Sequence, residues 1–160
     1  MGPPFRGDER IMNSTVHASA VLVGARAVLI RGPSGSGKSR LAFELIEAGD
    51  AGRLRFARLV ADDRVHLEAA GGRLLVRPAE ALAGLIEVRG AGLLRMPHEA
   101  SAVVGLVVDL AAADASRLPD RDQRKTEIEG ISLPRLAVAA EAAALPTLLA
   151  ILNSSAEGRI

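Results

Sequence analysis

Short apolar runs broken by glycines and charged pairs fill most of this chain, and an Ala/Leu-rich stretch closes it. Residues 16–23 are apolar enough for a strand, with Gly24 as a turn, and 27–31 form a second strand. Leu41, Ala42, Leu45 and Ile46 follow helical spacing, and Gly49 sits where such a helix would close. Leu59-Val60-Ala61 reads as a buried strand ending in Asp62-Asp63. The runs 65–67 and 74–76 flank Gly71-Gly72, a hairpin turn. Residues 85–88 make a short strand before Arg89-Gly90-Ala91-Gly92, and Val103-Val104-Gly105-Leu106-Val107-Val108 is strongly β-branched. The charged segment 117–129 is expected on the surface, as a loop or an exposed helix end. From Leu136 onward the pattern predicts helix, with Pro146 splitting it or opening a final helix.

One loop changes this picture. Gly32-Pro33-Ser34-Gly35-Ser36-Gly37-Lys38-Ser39 fills every fixed position of the phosphate-binding pattern G-x-x-x-x-G-K-[ST], between a strand and a helix. Glycines let the backbone turn tightly so that successive N–H groups point at phosphate oxygens. The helix N-terminus adds its positive end. Lys38 supplies a mobile charge for the β- and γ-phosphates, and Ser39 a hydroxyl for Mg²⁺. The expected ligand is a nucleoside triphosphate; the loop is silent about what receives the phosphate. The early hairpin points to a mixed sheet rather than strict βα alternation. The expected fold is therefore α/β, a P-loop NTPase-like core with a mixed β-sheet and flanking helices. A flexible leader over residues 1–12 is expected to precede one P-loop domain over 13–155.

Composition narrows the function classes. A net charge of +1 gives no general electrostatic case for nucleic acid. Aromatics are 2% of the chain, too few for a base-stacking platform. With no cysteine, disulfides, thiolate nucleophiles and Cys-based zinc sites are excluded, which fits a cytoplasmic protein. No apolar run reaches the roughly 20 residues of a membrane helix.

Several further residues could carry chemistry. An acid at the end of a buried strand beside a P-loop orders Mg²⁺ or its waters, and an Asp near an acceptor hydroxyl can take its proton. Asp62 and Asp63 allow that division, because successive strand side chains face opposite ways. The bland alternative is a turn pair that caps the strand. Glu87 and Arg89 flank Val88 and would share a strand face, able to hold a metal and to stabilise a transferring phosphoryl group. A solvated ion pair is the competing reading. His17 stands alone in an apolar run, where a structural histidine is the commoner case; His66 and His98 lack metal-site spacing. The run Arg121-Asp122-Gln123-Arg124-Lys125 reads as a solvated face.

Taken together, His17, the loop 32–39, Leu59-Val60-Ala61-Asp62-Asp63-Arg64-Val65 and Leu85-Ile86-Glu87-Val88-Arg89-Gly90-Ala91-Gly92 resemble HPr kinase/phosphorylase, in its short form without an N-terminal domain. The resemblance runs from about residue 16 to 110, and its Glu-x-Arg-Gly-x-Gly piece is the most discriminating. It implies an enzyme that uses ATP and Mg²⁺ to phosphorylate a serine of HPr, a small phosphocarrier protein, and that can remove the phosphate with inorganic phosphate as acceptor. It implies Asp63 as catalytic base and, in reverse, acid, with His17 near it. It implies Ser39 and Glu87 at the Mg²⁺ and Arg89 near the phosphates. Asp62 and Arg135 are carried as candidate substrate or partner residues; Arg135 stands in Leu133-Pro134-Arg135-Leu136, without the Pro-Gly-Arg of longer members. A homo-hexamer is implied as well, with no nucleic-acid or membrane partner. A small-molecule kinase and a silent nucleotide-binding regulator stand as the alternative readings.

Overall fold

The computed structural model describes residues 15–154, so the expected leader lies outside the described residues. The chain runs through β1 (Val16–Val23), β2 (Arg26–Arg31), α1 (Lys38–Asp50), β3 (Ala57–Ala61), β4 (Arg64–Ala70) and β5 (Arg73–Pro78). A 3₁₀ turn, Glu80–Leu82, leads to β6 (Leu85–Val88), β7 (Gly92–Arg95), β8 (Ala102–Asp109), β9 (Lys125–Ile128), β10 (Ile131–Ala137) and α2 (Leu145–Leu152).

The sheet is mixed. β2 lies parallel to β8, and β8 parallel to β10, whereas β1 runs antiparallel to β2, β3 and β4. β4, β5 and the start of β8 pair antiparallel, so β2, β1, β4, β5 and β8 close a ring of pairings. Alternation assigns the two faces. Val28 and Ile30 of β2 join Leu41, Leu45 and Leu148 in a core under the helices. Ala27 and Leu29 join Ala18, Ala20, Val65, Leu74 and Val76 inside the ring. Small residues at three of these positions let the β4–β5 hairpin close over the sheet. β6 and β7 form a separate two-stranded hairpin, seated by the fully buried Ile86 on the helix-side core. Burying such a side chain stabilises by roughly 1.5–3 kcal/mol.

The mixed sheet and the Gly71-Gly72 hairpin agree with the sequence pattern. The end of the chain does not. Residues 136–144, expected as helix, instead finish β10 (Ile131–Ala137) and run on without regular structure, and α2 starts only at Leu145, with Pro146 in its first turn. Within the charged segment, 125–128 is β9, paired with β10. Helix propensity over the Ala/Leu-rich stretch is overridden by ladder pairing and by burial of Leu133 and Leu136. Pro134, which argues against a strand, stands where β10 passes from its β9 partner to its β8 partner. Among the described residues no helix is long and apolar enough to cross a membrane.

Candidate active site

β1 is antiparallel to β2 and β3, so its first residues lie at the C-terminal ends of both. That edge gathers His17, the loop after β2 and the acids after β3. Ligands of α/β sheets bind at such an edge.

The loop leaves β2 at Arg31 and enters α1 at Lys38. Gly35 and Gly37 have φ of 82° and 100°, the left-handed region that favours glycine. At Gly32 a Cβ would lie 2.5 Å from Ser36 Oγ and 3.1 Å from Leu110 Cβ, so the loop closes only around glycine. The first turn of α1 holds no acid, which leaves its positive end available to an anion. Lys38 is buried to 8% exposure and donates from Nζ to the carbonyls of Gly32 at 2.9 Å and Pro33 at 3.2 Å. Ser36 Oγ is buried without a hydrogen-bond partner. An orphan hydroxyl in a glycine-rich loop fits one that takes its missing partner from a phosphate.

The two acids divide their work. Asp62 is buried, and Ser39 Oγ donates to its carboxylate at 2.7 and 2.9 Å. Ser19 Oγ donates to Asp62 Oδ1 at 2.7 Å and the Glu87 backbone N–H to Oδ2 at 3.0 Å. Asp62 therefore joins the P-loop serine, β1 and β6 at one carboxylate. Asp63 turns outward, with φ of 72°, a conformation uncommon outside glycine. Its backbone N–H donates to Ser19 Oγ at 3.2 Å. Its carboxylate lies 3.7 Å from His17 Nδ1, both side chains largely exposed.

Of the remaining candidates, Glu87 is exposed at β6, its backbone tied to Asp62. Arg89 falls past the end of β6, in the turn that Gly90 and Gly92 close with positive φ, and is exposed. Arg135 points inward. Its side chain is 13% exposed and donates to Asp109 Oδ2 at 2.6 Å and to both oxygens of Asp114. The hydrogen bonds it donates to Asp114, outweighing the effect of partial burial, and those it donates to Asp109 raise its already high pKa. Burial alone would push the Asp109 carboxyl up, but Arg31 and Arg135 hold it below the usual carboxylate value.

That last shift has a pH consequence. A carboxylate whose folded pKa is depressed adds stability above its unfolded value, and the contribution is lost as pH falls through the folded pKa. The melting temperature is expected to drop as pH falls below about 4, more steeply than in Asp109→Asn, because unfolded Asp titrates near 3.9. Parallel acid limbs would contradict the link.

The sequence pattern left open which acid serves the metal and passed over two residues here. Ser19, the lone hydroxyl between Ala18 and Ala20, fixes both acids, and its isolation in a buried strand was its only signal. Asp109 ends a β-branched strand with no motif around it.

Mg²⁺ favours hard oxygen ligands, few of them from protein when a polyphosphate supplies the rest. Ser39 Oγ and Asp62 fit that donor set, with Glu87 adjacent. Asp62→Asn is expected to raise the Mg²⁺ concentration for half-maximal effect on nucleotide binding about 10–100-fold, the usual scale for residues that orient metal ligands. An unchanged Mg²⁺ dependence would remove Asp62 from the site.

A strand, a glycine-rich loop, a helix and a strand-end acid on the loop's serine define a P-loop fold, built here on a mixed sheet. Within that class, the family described as HPr Serine kinase C-terminal domain matches residues 10–152, and the chain belongs to it. The HPr kinase/phosphorylase of Streptococcus thermophilus is 36% identical over 136 residues, 78% of this chain and 42% of that protein. That of Streptococcus sanguinis is 36% identical over 143 residues, 82% of this chain and 44% of the relative. The chain thus spans less than half the length of these curated relatives. The solved HPr(Ser) kinase/phosphatase from Coxiella burnetii superposes with a TM-score of 0.68 at 25% identity, covering 88% of each chain.

Proposed function

We propose that this chain is an ATP- and Mg²⁺-dependent protein-serine kinase whose acceptor is an HPr-like phosphocarrier protein of a bacterial phosphotransferase system. The observation that carries the reading is the split between the two acids: Asp62 is bound to Ser39, while Asp63 stands free of it, exposed beside the P-loop. A pure nucleotide binder has no use for the second acid. The family membership supports HPr as the acceptor.

In the forward direction the loop 32–39 and Lys38 hold the β- and γ-phosphates. Ser39 and Asp62, with Glu87, would hold Mg²⁺, which when bound would neutralise charge on the phosphates. Asp63 accepts the serine proton as the serine oxygen bonds to the γ-phosphorus and the bond to the β-phosphate oxygen breaks, leaving ADP. His17 orients Asp63, and Arg89 meets charge on the transferring group. In reverse, protonated Asp63 returns the proton to the serine oxygen while the phosphoryl group passes to inorganic phosphate, yielding pyrophosphate. A cytoplasmic setting and a homo-hexamer belong to the same proposal.

The test is ATP consumption with the acceptor varied. Consumption that depends on HPr and stops at one equivalent supports the reading. Consumption with a small hydroxyl metabolite and none with HPr would make the chain a small-molecule kinase. Tight ATP binding without turnover on any acceptor would make it a regulator.

A further inference from the structure

We infer that Asp109 is a positioning residue that braces the nucleotide loop against the segment 112–124, a role that rests on the kinase reading above. Asp109 ends β8, the strand between β2, which feeds the loop, and β10. Its carboxylate meets both neighbours. Arg31, the residue before Gly32, donates from Nε to Oδ1 at 2.7 Å and from Nη2 to Oδ2 at 2.9 Å. Arg135 of β10 donates from Nε to Oδ2 at 2.6 Å.

Backbone contacts run the same way. The Leu110 N–H donates to the Arg31 carbonyl at 2.8 Å, and Leu110 is the neighbour a Cβ at Gly32 would strike. The Val138 N–H donates to the Asp109 carbonyl at 2.8 Å. The entry to the phosphate loop is thus set by a bidentate fork, a backbone hydrogen bond and a packed side chain, all from Asp109-Leu110.

The chain of charges continues outward. Arg135 forks onto Asp114 at 2.8 and 3.0 Å and donates to the Gln123 carbonyl at 3.1 Å. Gln123 Nε2 donates to the Asp114 carbonyl at 2.7 Å, its backbone N–H donates to Asp120 Oδ1 at 2.8 Å, and the Asp120 N–H donates to Gln123 Oε1 at 2.9 Å. This folded segment walls an open cleft of about 840 Å³ with Leu136, Val138 and α2. Two arginines alternate with two acids from the P-loop to this wall, so these four groups together carry no net charge. They act on phosphates by fixing backbone, not by adding field. Bidentate guanidinium–carboxylate pairs suit that task, because their planar geometry fixes direction as well as distance.

Asp109→Asn and Asp114→Asn separate the two ends of the brace. The readouts are Mg·ATP affinity by a fluorescent analogue, melting temperature, and KM against kcat for the acceptor. Asp109→Asn is expected to weaken Mg·ATP about 10-fold in folded protein, well below its melting temperature, since misplaced binding groups of this kind cost one to two decades. Asp114→Asn breaks only the outer fork; Mg·ATP affinity is expected to stay within about twofold while the acceptor KM rises. A merely structural ion pair would lower the melting temperature of both variants and leave the affinity of the folded protein untouched. Should Asp109→Asn not fold, Arg31→Lys keeps the charge, loses the fork, and is expected to weaken Mg·ATP in the same sense. Unchanged Mg·ATP affinity in folded Asp109→Asn, or in Arg31→Lys where Asp109→Asn does not fold, overturns the inference. Because that readout needs no acceptor, it is independent of the kinase reading, which fails separately if wild type leaves HPr unmodified.

Discussion

Asp63→Asn is expected to bind Mg·ATP with wild-type affinity and to transfer phosphate at least ~100-fold more slowly, the lower bound usual for loss of a general base. The geometry argues for this separation. Ser39 Oγ donates to Asp62, not to Asp63, so removing the Asp63 charge leaves the phosphate loop's own contacts intact. The backbone contact that holds Asp63 in its left-handed conformation runs through its own N–H to Ser19, and an asparagine tolerates that conformation. The variant should therefore fold and bind. Its deficit should appear in kcat rather than in the KM for ATP, as expected for an interaction made only in the transition state. Transfer within a few-fold of wild type would remove Asp63 from the chemistry and leave a strand-end turn in its place.

Lys38→Ala should fail in both steps at once. The ammonium group is buried and reaches back to the Gly32 and Pro33 carbonyls at the start of the loop. It ties the two ends of the loop together and, on the proposed kinase reading, is the point charge offered to the phosphates. Its loss should weaken Mg·ATP by roughly 10-fold or more and slow transfer by about 10²–10³, the range for removing one preorganised stabilising group. Lys38→Arg keeps the charge but replaces a compact ammonium with a broad fork that the buried site cannot admit, so little rescue is expected. Unchanged ATP affinity in Lys38→Ala would contradict the phosphate cradle.

Local structure was readable from the sequence wherever one short segment carried it. The glycines of the loop, the strand into it and the helix out of it are neighbours along the chain, and each local preference agrees with the fold. The Gly71-Gly72 turn and the acid pair after β3 were legible for the same reason. What the sequence hid are relations made by pairing. β9 and β10 hold β structure through a proline and alanines because they lie beside each other and beside β8. The Asp62 link to Ser39 depends on β1 and β3 being neighbours, which no local pattern encodes. Glu87 and Arg89 looked like one strand face, yet the strand ends at Val88 and a glycine turn carries Arg89. Arg135 is a candidate partner residue on its resemblance alone, and only the fold brings Asp109 and Asp114 to it.

The most direct measurement of the central claim is the intact mass of HPr from the same organism after incubation with this chain and Mg·ATP, with the modified residue mapped. The account predicts one added phosphate, on a serine, absent when Mg²⁺ is withheld. An HPr of unchanged mass, in a sample where the chain demonstrably binds ATP, would contradict it.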